Sequence, residues 1–553
     1  MLEINSSLLD SFNTELRTPD SFAACLNQRG LYNSAHFVLR LSPVNHELLE
    51  SGAEKDPKDI TWDEIQAYST YIHETVHWWQ HIGSTSGLVM SMCYPGQAHA
   101  NIKFLRKLAS SGKVGKSIKA WAEAKMIGGV DHSDALVASA NSVVNNVMDL
   151  EFFRALILNP ERLRDMVKNK YFESVGHSFN ITYSILLQVL ETTFGGEDLP
   201  FLPRYNKWAG VIKDLAEREV GFYHYGSDII LPPISGLSLL EGQARFIQLQ
   251  FLEFASFKFD RPLKLEDYAR QGYLDDVYGE AFKYFISSTD SEFPSSVDDP
   301  LVGLFLLVCD LSLNPGVGFP FDITDFERFP LEANPSIRFA VFCNAVKNDC
   351  SHLKTYLKDY SRDEYFYASS ELAQSCGYHS PREILDELNK WVDKEPTMHA
   401  LMKEQKIFDF NKENQPVRVI FSHFLKFSQD KLEVPEFFCW SGRFRHTHAD
   451  ARYNEIWLRN LSLFTDKADD NGIYPRLREG VNHENLMNTL NNFYGNSINY
   501  DLTRQWTLHD GIFKYDFAWL TEKFTQDEVR DKAKWLFENL YGISPDDLEK
   551  IKP

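Results

Sequence analysis

The run Tyr71-Ile72-His73-Glu74-Thr75-Val76-His77-Trp78-Trp79-Gln80-His81 contains His-Glu-x-x-His. On a helix this pattern presents two imidazoles to one zinc ion and a carboxylate to the ion's water. Residues four apart stand roughly 5–6 Å from one another on one side of a helix, so His73 and His77 can converge on a single metal. Glu74 lies about 100° further round. It points past the imidazoles, placed to take a proton rather than to bind the ion. Thr61 and Glu64 form a capping box that starts the helix near Trp62. Ile65, Tyr68, Ile72, Val76 and Trp79 then recur in steps of three and four, the apolar stripe of a helix that faces a core. His73 and His77 fall one place off that stripe, and Gly83 and Gly87 close the run. The competing reading is two histidines that merely share a helix face.

A catalytic zinc takes three protein ligands and keeps one position open. His81 does not complete the set. Positions i, i+4 and i+8 drift by about 40° per step, so a straight helix cannot wrap all three around one ion. The longer H-E-x-x-H-x-x-G-x-x-H pattern also fails, with Gln80 where Gly is required and Gly83 where the third His belongs. His81 therefore reads as a supporting or structural residue. The preferred third ligand is Glu241, in Leu239-Leu240-Glu241-Gly242-Gln243-Ala244-Arg245. It sits on a predicted helix beside Ser238, Gly242 and Ala244, whose small size lets two helices approach closely. The alternative, a Glu241–Arg245 pair on a solvated face, fits poorly with Phe246, Ile247, Leu249, Phe251 and Leu252 on the same helix. Glu151 is the rival ligand, a charge in an apolar helix that calls for a partner. Asp149 beside it is a further rival, or a carboxylate that orients a ligand histidine.

His73-Glu74-x-x-His77 followed by a helical Glu241-Gly242-x-Ala244 resembles the zincin metallopeptidases of gluzincin type, in which a downstream helix supplies the third ligand. The resemblance covers these two helices and a strand expected at 35–41, a small part of the chain. It departs at Arg245, where many gluzincins carry Asp, and the long separation of the two motifs implies a sizeable helical insertion. The resemblance implies zinc-assisted hydrolysis of peptide bonds. Glu74 would be the general base, and Tyr225 or His224, in the loop 221–226, a donor to the oxyanion. A strand at 35–41 would then serve as the cleft edge that pairs with substrate backbone; a plain structural strand is the alternative.

The 553 residues suffice for two to four domains and a large core. The 14% aromatic content argues against disorder. A net charge of −21 disfavours a nucleic-acid partner, because phosphate binding needs a basic surface. Seven scattered cysteines with no C-x-x-C pair fit a reducing cytoplasm rather than a disulfide framework. The first residues lack a signal-peptide pattern, and no apolar stretch approaches the ~20 residues of a membrane span. A cytoplasmic location with no membrane partner is the expectation.

Helical periods dominate 101–260, with helices over 101–126 (broken near Gly112 and Gly115), 133–158, 180–194, 205–219 and 238–257. Short helices are expected at 8–17 and 20–28. The Ser- and Pro-rich stretch 287–299 marks a soft boundary between a catalytic region, 1–287, and a mostly helical C-terminal region, 300–553. Beyond it, helices are expected at 300–313, 337–359, 381–405 and 525–541, and Val417-Arg418-Val419-Ile420-Phe421 as a short strand. The fold class is mainly α with a small sheet (α+β), a zincin-like catalytic region with a large helical insertion. Two weaker constellations stand apart. His446-Thr447-His448-Ala449-Asp450 has the start of a binuclear metal pattern without its next histidine, and Cys376-Gly377-Tyr378-His379 sets a thiol near an imidazole. Trp78 and Trp79 read as core and cleft wall. The expected function is a zinc metallopeptidase acting on a protein or peptide, with a regulatory protein partner compatible with the large helical body. The alternatives are a regulatory or interaction protein with a structural zinc, and a metal hydrolase of a non-peptide amide or ester.

Overall fold

In the computed structural model, residues 28–551 are described apart from 130–132, 196–198, 227–228, 260–262, 446–450, 518 and 521–523, together with Asn5 and Leu8. The helices expected at 8–17 and 20–28 lie outside the described residues, apart from single positions. Helices hold 68% of the chain and strands 3%, so the fold is mainly α, with a small four-stranded sheet among the described residues. The sheet order is β1 (Gly30–Asn33), β2 (Val38–Leu41), β3 (Phe464–Lys467), β4 (Asp470–Pro475). β1 and β2 are antiparallel, with Tyr32 opposite Leu39. β2 and β3 are parallel, with Val38 opposite Phe464. The strand expected at 35–41 is therefore β2, and it is shorter and internal. Residues 34–37 turn, with Asn33 Oδ1 accepting from the amides of Ala35 and His36 and Phe37 in the left-handed region (φ 55°). The edge position beside the motif helix belongs to β1.

The motif helix is Trp62–Ile82. Its capping box is complete. Thr61 N–H donates to Glu64 Oε2 (2.8 Å), and the Thr61 hydroxyl accepts from the Glu64 amide (3.4 Å). Gly83 caps it, and the chain re-enters a helix at Thr85–His99. Gly87 belongs to that next helix. A Cβ there would meet Gln80 O at 1.9 Å, so the tight corner between the two helices needs glycine. The Glu241 helix, Gly236–Ser256, starts at the Ser235 cap and runs antiparallel to the motif helix. Gln80 meets Leu240 and Gln243 at one end, Gln248 meets Ser69 in the middle, and Tyr68 meets Phe251 further along.

Two apolar clusters hold these elements. The larger runs from Tyr32 to Tyr494 and includes Ile72, Val76, Trp78 and Trp79. Both indole N–H groups donate to Asn460 O (3.1 and 2.9 Å), so the tryptophan pair is core, tied to the far end of the chain. The smaller cluster joins residues 105–144 to 498–548. Both draw residues from either side of 287–299, and within that stretch Val297 N–H donates to Glu253 of the Glu241 helix (3.0 Å). Val417–Phe421 is not a strand. It lies inside the helix Gln415–Glu433, whose residues are buried almost all round. Among the described residues no helix is long and apolar enough to cross a membrane.

Candidate metal centre

The antiparallel pair brings three donor atoms together. His73 Nε2 and His77 Nε2 lie 3.1 Å apart, and each stands 3.2 Å from Glu241 Oε2. These edges are close to the roughly 3.3 Å edge of a tetrahedron drawn around zinc with bonds of about 2.0–2.1 Å. The residues present therefore fit a zinc ion held by two imidazoles and one carboxylate. Side-chain exposure rises from 3% at His73 to 11% at His77 and 17% at Glu241, so the group opens to solvent on the Glu241 side.

Electrostatics hold the three as one unit. Burial disfavours the imidazolium of His73 and takes its pKa down to about 4. At His77 burial acts in the same direction, but the Glu241 carboxylate outweighs it and lifts the value to about 9. Burial likewise opposes the charge on Glu241, and the two imidazoles overcome it and hold the carboxyl well below its usual range. Glu241 is thus held as a carboxylate between the two imidazoles, where a divalent cation can take the place of a proton.

Gln80 orients His77. The Gln80 amide nitrogen donates to Leu240 O and Gln243 Oε1, both at 2.9 Å. Its oxygen is left to accept from His77 Nδ1 (2.8 Å), which turns Nε2 toward the triangle. Gln80, which only spoiled a longer motif in the sequence, is therefore a support that also ties the two helices together. His73 is held differently. Its Nδ1 is buried without a hydrogen-bond partner. The Tyr278 ring packs edge-on against it at 5.9 Å, and the guanidinium of Arg245 lies 3.9 Å over that ring. Arg245 is buried in this stack (1% exposed) rather than on a solvated face.

Glu74 sits against the edge strand. Its Oε2 accepts the amide of Tyr32 (2.7 Å), and a Cβ at Gly30 would fall 2.7 Å from its Cγ. β1 thus needs glycine to approach this close. His81 bonds the carbonyl of His77 in its own helix (2.8 Å), burial holds its pKa down at about 4, and it packs against Tyr32 as a neutral structural residue.

The rivals are engaged elsewhere. Glu151 pairs with Arg504 (2.6 Å). Asp149 accepts from Ser178 (2.8 Å) and faces His177 (3.2 Å). The small residues near Glu241 act otherwise than expected, since Gly242 faces Ala281 and Ser238 bonds Glu280, both on the helix Val277–Ser288. Of the expected oxyanion donors, Tyr225 is 78% exposed and His224 Nδ1 stands 3.1 Å from the Tyr225 carbonyl. Their buried neighbour Tyr223 ties the loop to Phe326 and Asn180. The 446–450 constellation lies outside the described residues. Burial pushes the Cys376 thiol up, the opposite of an activated nucleophile, and His379 stacks on Phe321 at 4.1 Å.

Comparisons with protein-family models, with curated proteins and with solved structures return no match to this chain.

Proposed function

We propose that the protein is a zinc-dependent metallopeptidase, a reading carried by the three-edged convergence of His73, His77 and Glu241 with Glu74 one residue along the same helix. When bound, zinc supplies a Lewis acid and a water whose pKa falls toward about 7. His73, His77 and Glu241 are the residues that hold it. Glu74, a carboxylate kept in place by the Tyr32 amide, takes the proton of the attacking water and passes it to the leaving amine nitrogen. The edge strand β1 packs directly on that carboxylate, its Tyr32 amide taken by Glu74, so the protein or peptide substrate rests on the likeness of the site to the gluzincin arrangement. The site resembles the gluzincin arrangement in these parts and not in Arg245. The reading includes a cytoplasmic setting, consistent with the scattered cysteines, and no nucleic-acid partner, consistent with the charge of −21.

Glu74→Gln separates this reading from a structural zinc, and peptide profiling separates it from hydrolysis of other bonds. Incubation of a proteome-derived peptide library with the wild type is expected to yield new termini. The variant is expected to keep its metal and to lose turnover by at least about 10²-fold. Cleavage unchanged in Glu74→Gln, or no cleavage by a zinc-loaded wild type, would overturn the peptidase reading.

A further inference from the structure

At the other end of the same helix pair lies a cavity of about 1050 Å³, at the upper limit of small-molecule sites. Tyr68 and Tyr71 line it from the motif helix, about 140° and 200° round from His73. It is therefore a separate chamber behind the helix that carries the metal ligands. Phe251 and Phe254 from the Glu241 helix, with Leu48 and Leu49 opposite, make most of its wall apolar.

Three charged residues line it, Arg445, Glu64 and Lys258, and Lys258 is bonded to the carbonyls of Pro57 and Ile60. Arg445 donates to Tyr68 Oη and to Asn454 Oδ1, and its guanidinium lies 4.6 Å over Trp457. Its Nε is buried without a hydrogen-bond partner. Nearby arginines have carboxylates: Arg443 pairs with Asp298, Arg452 with Glu436 and Arg459 with Asp430. Among the described residues none pairs with Arg445, in a chain with 78 acidic against 57 basic residues. Glu64 also reaches the cavity, but Lys55, Ser51 and Thr61 already satisfy it.

We propose that this cavity binds an acyl carboxylate, with the apolar chain among the Tyr and Phe rings and the carboxylate on Arg445. A guanidinium that no carboxylate pairs with among the described residues, at the wall of a mostly apolar chamber, is complementary to one anionic head on a long apolar tail. Neither half of that ligand alone matches both features. The site is independent of the metal triangle and does not rest on the peptidase reading.

Calorimetric titration of the full chain with decanoate and with 1-decanol tests it. Decanoate is expected to bind one per chain, and roughly tenfold or more tighter than decanol, the margin of a charge-assisted hydrogen bond. Arg445→Gln is expected to erase that preference, and Ala255→Trp, which fills the chamber, to abolish binding of both. Three results would overturn the site: no decanoate binding below about 1 mM, equal binding of acid and alcohol by the wild type, or decanoate binding unchanged in Ala255→Trp. The acid-to-alcohol ratio is read on the wild type, so it stands even if Arg445→Gln fails to fold.

Discussion

Gln80 fixes which nitrogen of His77 faces the triangle, and its own amide is fixed in turn by Leu240 and Gln243. Gln80→Ala is therefore expected to weaken zinc binding by roughly 10–100-fold while leaving the ligands in place, measured by competition with a chromophoric chelator. An unchanged affinity would remove Gln80 from the site. Gly30 is the other residue whose identity follows from contact. Gly30→Val would drive a side chain into Glu74 and Thr70, and a loss of about 1–3 kcal/mol is expected in denaturant melts, with lowered activity. These two differ in how far the sequence exposes them. His73, Glu74 and His77 were legible because one helical period sets their geometry, and Gln80, three residues on, shared that legibility without its role being read. Glu241 followed from a charge on an otherwise apolar helix. Gly30 and Tyr278 were not legible, since both reach the site through packing between elements far apart in the chain.

The motif helix announces its start through Thr61 and Glu64, and that start carries a pH dependence. Burial opposes the Glu64 carboxylate, but the Lys55 ammonium and the bonds from Thr61 and Ser51 outweigh it and hold its pKa at about 2, against an ordinary 4.5. The unfolded chain thus takes up the proton first as pH falls. The stability Glu64 provides is complete above pH 4.5 and is lost as pH drops toward 2. Glu64→Gln is expected to melt below the wild type at pH 7, with the two curves converging between pH 4.5 and 2; a gap independent of pH would contradict this. Thr61→Ala is expected to cost about 1 kcal/mol. Some capped helices follow their sequence expectation, such as Pro300–Leu313 behind Asp299 and Gln526–Tyr541 behind Thr525. The helix expected at 337–359 instead ends at Asn348, and that expected at 381–405 divides into Pro381–Lys394 and Pro396–Ile407. Val417–Phe421 departs from its expectation altogether, because its β-branched and aromatic residues mimic a strand. The helix around it, Gln415–Glu433, is buried on nearly every side, which erases the 3.6-residue period.

At the scale of the whole chain, the sheet and the core are assembled from both ends. Val38 pairs with Phe464, and Trp78 and Trp79 are bonded by Asn460. No local pattern in the sequence carries such pairings, so β3 and β4 are not legible in it while the overall helical class is. The His73–His77–Glu241 triangle likewise joins residues more than 160 positions apart. A bound ion should stabilise the native chain as a ligand does, by about 2.7 kcal/mol at a hundredfold excess over its dissociation constant. In a chain of this length a shift on the order of 2 °C is expected on chelation if unfolding is two-state. Elemental analysis of the purified wild type, His77→Ala and Glu241→Ala tests the centre most directly. The account requires one zinc per chain in the wild type and its loss from both variants; a wild type without zinc, or a Glu241→Ala variant that retains it, would contradict it.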